Sequence, residues 1–177
     1  MTYPVFASGD VLNAADMNGV GLWLVKSQAV GTGVSSVTVT GAFSADYDAY
    51  RIIATGVSST GTGSSASFQL SGLTSGYYAT IIYSVYSPPA VNISTDNNAA
   101  SWTFGGSFSS DGFVLDLDVI NPFLARPTTL NNASYASHVA GAVNGKQTSS
   151  TSVTGFTVST PGGTMTGGQI SVYGYRK

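Results

Sequence analysis

An all-β fold is predicted: an antiparallel two-sheet sandwich, jelly-roll-like, of about ten strands, preceded by a short N-terminal arm containing one helical turn. Three observations predict it. From about residue 22 onward, apolar residues recur with a period of two, the pleat period of a half-buried strand. Clusters of Gly, Pro, Asn and Ser interrupt these runs at short spacing, as turns do. The composition is poor helix material, with 22 Gly in 177 residues and Ser plus Thr at about a quarter of the chain, well above average usage.

Residues 1–21 differ from the rest and read as an attachment arm, with the sandwich domain over 22–177. Asn13 can cap a short helix, Asp16 falls near its positive end, and Gly19 can close the turn. Phe6, Val11, Leu12 and Met17 are its apolar residues. An arm this short has no core of its own, so these side chains are expected to pack on the body or on a neighbouring chain, and they are the candidate attachment residues.

In the body, 22–30 and 34–40 are separated by Gly31-Thr32-Gly33, and 50–57 is followed by a Gly/Ser/Thr loop over 58–64. Ala66, Phe68 and Leu70 alternate with Ser67, Gln69 and Ser71. The 77–86 run is an aromatic-rich strand, after which Pro88-Pro89 opens an expected polar loop to residue 100. A short strand at 101–107 follows. In 113–120, Phe113, Leu115, Leu117 and Val119 face one way and Asp116 and Asp118 the other. A loop over 121–131 carries Pro122 and Pro127, and strands at 134–143, 153–159 and 169–176 complete the set. An even number of strands would put residues 22 and 177 at one end of the sandwich and the loops 58–64, 87–100, 121–131 and 160–168 at the other. That is the polarity of a part anchored at one pole and binding with the other.

Composition and motifs narrow the function classes. Charged residues are only 8%, there is no Glu, and net charge is −2 with the six basic residues scattered. Counterion-release binding of nucleic acid needs a basic patch, so no nucleic-acid partner is expected. The lack of Cys excludes disulfides and thiolate chemistry. No run of about 18 apolar residues is present, so membrane insertion by a helix is not expected, and the first residues lack the pattern of a secretory signal. His138, the one histidine, lies in a strand-like stretch with no Gly-x-Ser-x-Gly elbow and reads as a strand-face or subunit-contact residue. Asp116 and Asp118 stand roughly 7 Å apart by strand rise. Solvated outward carboxylates are the leading reading, with a calcium site including Asn121 or paired-acid glycoside chemistry as alternatives. No catalytic residue, metal site or cofactor is assigned, and the chain is not expected to be an enzyme.

Asp96-Asn97-Asn98 reads as an Asx-rich turn, with a cation site as the weaker option. Asn92-Ile93-Ser94 and Asn132-Ala133-Ser134 match the short glycosylation pattern, which arises often by chance. Trp102, beside the expected 87–100 loop, is a candidate for stacking on a saccharide, and with Asp96, Asn97 and Asn98 forms the candidate receptor or glycan contact. Tyr78 and Tyr86 share the face of their strand opposite Tyr77 and Tyr83, and Tyr173 and Tyr175 lie opposite Ile170 and Val172. These four tyrosines are the candidate subunit interface, because an exposed ring buries area while its hydroxyl keeps a hydrogen bond.

The run Phe6-Ala7-Ser8-Gly9-Asp10-Val11-Leu12-Asn13-Ala14-Ala15-Asp16-Met17-Asn18 resembles the opening of many tailed-phage tail-fibre and minor tail proteins. Gly168-Gln169-Ile170-Ser171-Val172-Tyr173-Gly174-Tyr175-Arg176 is similar to the closing strand of small β-sandwich domains in phage tail and fibre proteins. Tyr47 to Ile53 and Leu117 to Pro122 fit the same kind of domain. The resemblance implies a homotrimeric virion component on the tail or capsid surface. Its arm would attach to other virion proteins, and its sandwich would contact host surface polysaccharide as a fibre or receptor-binding subunit. The alternative is a capsid decoration or head-fibre protein with a purely structural role.

Overall fold

The computed structural model describes residues 8–9, 21–61, 64–136 and 139–175. Fifteen strands occur among them: β1 (Leu22–Ala29), β2 (Ser36–Val39), β3 (Ala49–Thr55), β4 (Ser58–Thr60), β5 (Ser64–Leu70), β6 (Tyr77–Tyr86), β7 (Pro89–Ala99), β8 (Trp102–Ser109), β9 (Gly112–Val114), β10 (Asp116–Ile120), β11 (Thr128–Ala136), β12 (Val139–Gln147), β13 (Phe156–Ser159), β14 (Thr164–Thr166) and β15 (Gln169–Tyr175). An eight-stranded sheet runs β1-β15-β3-β10-β11-β12-β6-β7, and a five-stranded sheet runs β2-β13-β5-β8-β9. All of their pairings are antiparallel, and β14 with β4 makes a small two-stranded ribbon. The expected all-β two-sheet sandwich is therefore what the chain forms.

The core lies between the two sheets and follows from the alternation. On the large sheet, Tyr50, Ile52, Leu117, Val119, Leu130, Val143, Ile170 and Val172 point inward and are buried. Phe68, Leu70, Trp102, Phe156 and Val158 meet them from the small sheet. Phe68 stacks on Phe156 with ring centroids 4.7 Å apart, and Tyr77 meets Trp102 edge-on at 5.0 Å, both favoured aromatic geometries. The Tyr77 hydroxyl accepts the Leu70 N–H at 2.9 Å and donates to the Leu73 carbonyl at 3.2 Å, so its polar tip is satisfied inside the core. Gly145 is required by this packing: a Cβ there would sit 2.5 Å from the Trp102 indole nitrogen.

The structure corrects several sequence expectations. Strands outnumber the expected ten. The 87–100 segment is not a loop but β7, an edge strand paired along β6. Its prolines do not forbid this, because Pro88 lies in the turn and Pro89 is the first strand residue, on a sheet edge where a missing N–H does least harm. The expected loops 58–64 and 160–168 contribute β4 and β14. The 134–143 run is two strands, β11 and β12, that pair with each other.

The polarity also differs. Leu22 pairs with Tyr175, so the start of β1 and the end of β15 lie together. The 160–168 segment and the β6–β7 turn lie at the opposite end, since Gln169 pairs with Ala29 and Tyr86 with Pro89. The rest of the 87–100 segment runs back along β6 until Ala99 pairs with Tyr77, and the described residues hold fifteen strands, not an even number. The connection after β10 does not lie at that opposite end. Ile120 pairs with Ala49, which pairs with Tyr175, so residues 121–127 lie at the end where the sandwich begins and finishes.

Candidate functional site: the outward face of the large sheet

The pleat sends every second residue of each strand outward. Following the registers sideways therefore reads the outward face directly. One row crosses all eight strands: Leu24, Tyr173, Arg51, Asp118, Asn131, Asn144, Thr80 and Thr95. The next row toward the β1 start is Leu22, Tyr175, Ala49, Ile120, Thr129, Lys146 and Tyr78. On the other side of the first row, Asp116 lies opposite Ile53, and Ala142 lines up with Ile82 and Ile93.

The face is thus polar in the middle and apolar at both flanks. On one flank Leu22 and Leu24 are exposed beside Tyr173 and Tyr175. On the other, Ile82, Tyr86, Val91 and Ile93 are exposed on the β6–β7 hairpin, Val91 at 76% and Ile93 at 66%. Isolated exposed apolar residues are ordinary, but a contiguous set on a sheet face marks a contact surface.

Arg51, Asp116, Asp118 and Tyr175 form a network in the centre. The Arg51 guanidinium donates to Asp118 Oδ2 at 3.0 Å and also pairs with Asp116, and the Tyr175 hydroxyl donates to Asp118 Oδ1 at 2.7 Å. Burial alone would lower the Arg51 pKa, but Asp118 and Asp116 outweigh it and hold the guanidinium above its ordinary value. Partial burial, and then the hydrogen bond to Asp118, raise the Tyr175 hydroxyl. The two acids are therefore outward carboxylates bridged by a cation. Asn121 instead serves a turn, with positive φ and its N–H donating to the Asp48 carbonyl at 2.6 Å. Among the described residues, no group of three His, Cys, Asp or Glu could hold a metal ion.

The four candidate interface tyrosines lie on this one face, but in two separate groups. Tyr173 and Tyr175 are on β15, one strand in from the β1 edge, and Tyr78 and Tyr86 are on β6, one strand in from the β7 edge. The candidate glycan residues do not form one site. Trp102 is fully enclosed between the sheets and donates its indole N–H to the Tyr78 carbonyl at 3.2 Å, so it is a core residue and offers no ring face to a saccharide. The expectation failed because the segment before it is a strand, which turns Trp102 inward. Asp96 is buried and accepts the Thr103 N–H at 2.8 Å, tying β7 to β8. Asn97 and Asn98 are exposed, and Asn98 has a positive φ and accepts the Gly76 N–H at 3.0 Å. Asn132 of the second glycosylation pattern is buried, with its amide donating to the Phe104 carbonyl at 3.1 Å. Phe6, Val11, Leu12, Met17 and His138 lie outside the described residues.

Two shallow depressions follow the polar band. One is lined by Arg51, Asp116, Asp118 and Asn131 and the other by Tyr78, Thr80, Thr95, Asn97 and Lys146, while Asn144 lines both. Sequence reading missed this band and the exposed Ile82, Val91 and Ile93. The alternation of Val91, Ile93 and Thr95 with Asn92 and Ser94 was the available signal for β7. No protein-family model, no curated protein and no solved structure matches the chain.

Proposed function

We propose that the chain is a structural subunit of a tailed-phage virion, a fibre or receptor-binding protein that assembles as a homotrimer. Residues 1–21 attach it to other virion proteins, and the sandwich contacts host surface polysaccharide. The observation that carries this reading is the outward face of the large sheet, with exposed Ile82, Tyr86, Val91 and Ile93 on a hairpin at the end away from Leu22 and Tyr175. The N-terminal and C-terminal sequence resemblances support the same assignment. A surface of hydroxyls and amides, with charge only 8% of the chain, suits a displayed part that binds by many weak contacts acting together.

A second reading, a capsid decoration or head-fibre protein, is favoured by the other flank. Leu22 and Leu24 are exposed beside Tyr173 and Tyr175 where the sandwich follows the arm, which suits packing onto a particle without any ligand. Light scattering at micromolar protomer concentration tests the shared part of both readings. A trimer mass is expected. A monomer would count against the fibre assignment.

A further inference from the structure

We infer that the polar band on the outward face of the large sheet is a subsite for an uncharged polysaccharide, with Tyr78 as its ring platform and Thr80, Thr95, Asn97, Asn144 and Lys146 as its hydrogen-bonding groups. The inference rests on the receptor-binding reading above and deepens it by naming the site and the ligand class.

Geometry comes first. Asn131, Asn144, Thr80 and Thr95 fall in one lateral row on four successive strands. Neighbouring strands lie about 4.8 Å apart, close to the length of one pyranose unit in an extended chain. The row therefore offers roughly one amide or hydroxyl for each sugar of a polysaccharide lying across the strands. The depressions it crosses are shallow and open, which suits a long polymer better than a small molecule enclosed on all sides.

Chemistry comes second. Asn amides and Thr hydroxyls both donate and accept, as sugar hydroxyls do. Elsewhere in this protein, facing threonines satisfy each other: Thr38 bonds Thr157 at 2.9 Å and Thr60 bonds Thr164 at 3.0 Å. Thr80 and Thr95 face each other across β6 and β7 in the same way, yet among the described residues the side chains of Thr80, Thr95, Asn97 and Asn144 make no hydrogen bond. Their capacity faces solvent. Tyr78 is 40% exposed, enough for its ring to cover the C–H face of a sugar while the hydroxyl stays wet. Its backbone is held from below by the Trp102 indole N–H, so the platform is set before any ligand arrives.

Charge selects the class. Asp116 and Asp118 stand at one end of the band with Arg51 between them, and Lys146 stands midway along it, on β12 two residues from Asn144. A polyanion would run into the two carboxylates and a polycation into the lysine. An uncharged chain meets neither repulsion, and Lys146 donates to its hydroxyls.

Affinity electrophoresis of the assembled full chain tests this, using gels cast with dextran, α-mannan, galactan or β-glucan, and with hyaluronan as the anionic comparison. At least one uncharged polymer is expected to retard the protein. Tyr78→Ala and Asn144→Ala should each weaken that retardation at least about fivefold, the effect of one lost contact of about 1 kcal/mol. Thr38→Ala, on the other sheet, should retain it. Retardation unchanged in both alanine variants would overturn the subsite and leave the receptor-binding reading standing. Retardation by hyaluronan alone, or by none of the polymers, would overturn it as well. A Tyr78→Ala variant that changes oligomer mass instead of retardation would assign the face to a subunit contact and overturn it too. Detection of the protein on virions is a separate readout, so failure of the subsite is distinguishable from failure of the virion assignment.

Discussion

Replacing Trp102 by Ala removes the largest fully enclosed side chain of the core. A buried Trp removes of order 150–250 Å² from water, which at about 25 cal/mol per Å² is roughly 4–6 kcal/mol as an upper estimate. Residual burial in the unfolded chain lowers this by roughly 10–40%. The cavity left beside Phe68 and Tyr77, and the loss of the hydrogen bond to the Tyr78 carbonyl, add back. The expected loss is about 3–5 kcal/mol, the usual range for aromatic-to-Ala changes in a core. Against a total of about 5–15 kcal/mol, that is a large share. Urea unfolding followed by circular dichroism, at fixed protomer concentration so that any association contributes equally, should show a midpoint lower by roughly 2 M at unchanged slope. A midpoint within about 0.3 M of the parent, with polysaccharide binding lost instead, would refute the core assignment and restore Trp102 as a ligand residue.

Three further outcomes are expected. Burial pushes the Tyr77 hydroxyl up to about 12 from 10.0, so the unfolded chain gives up that proton first; the contribution is complete below pH 10 and is lost as pH rises through 12, by roughly 2–3 kcal/mol. Tyr77→Phe should flatten this part of the alkaline unfolding curve, measured by denaturant midpoints between pH 9 and about 12. Gly145→Val should cost about 1–3 kcal/mol, because its side chain would occupy the space of the Trp102 indole, and thermal unfolding reads this directly. Val91→Lys together with Ile93→Asp, on the exposed edge hairpin, should lower the oligomer mass in light scattering while leaving the circular dichroism spectrum unchanged.

The inner face was largely legible in the sequence. Phe113, Leu115, Leu117 and Val119 share one face and are all buried. What their alternation could not show is that the chain leaves the small sheet at β9 and joins the large sheet at β10, with Leu115 between. Both sheets face the same core, so the period of two passes through the crossover unbroken. Likewise Tyr78 and Tyr86 are exposed, as their position opposite Tyr77 predicts. β7 was hidden by Pro88-Pro89 at its start and by its Asn, Asp, Ser and Thr, residues that favour turns when read locally. Pairing along β6 overrode that preference, and with it went the placement of Trp102. The polar band was not legible at all, because Asn131, Asn144, Thr80 and Thr95 become neighbours only through the registers of four strands.

The most direct test of the virion assignment is imaging of purified phage particles with a label on Lys177. Tyr175, two residues before it in the sequence, pairs with Leu22, the first strand residue after residue 21, so on the proposed assignment the label marks the attachment end. The expected result is label on the particle at the base of a repeated projection, at the tail for a receptor-binding subunit or over the capsid for a decoration protein. Particles that carry no label while the infected cell contains the protein would contradict the assignment.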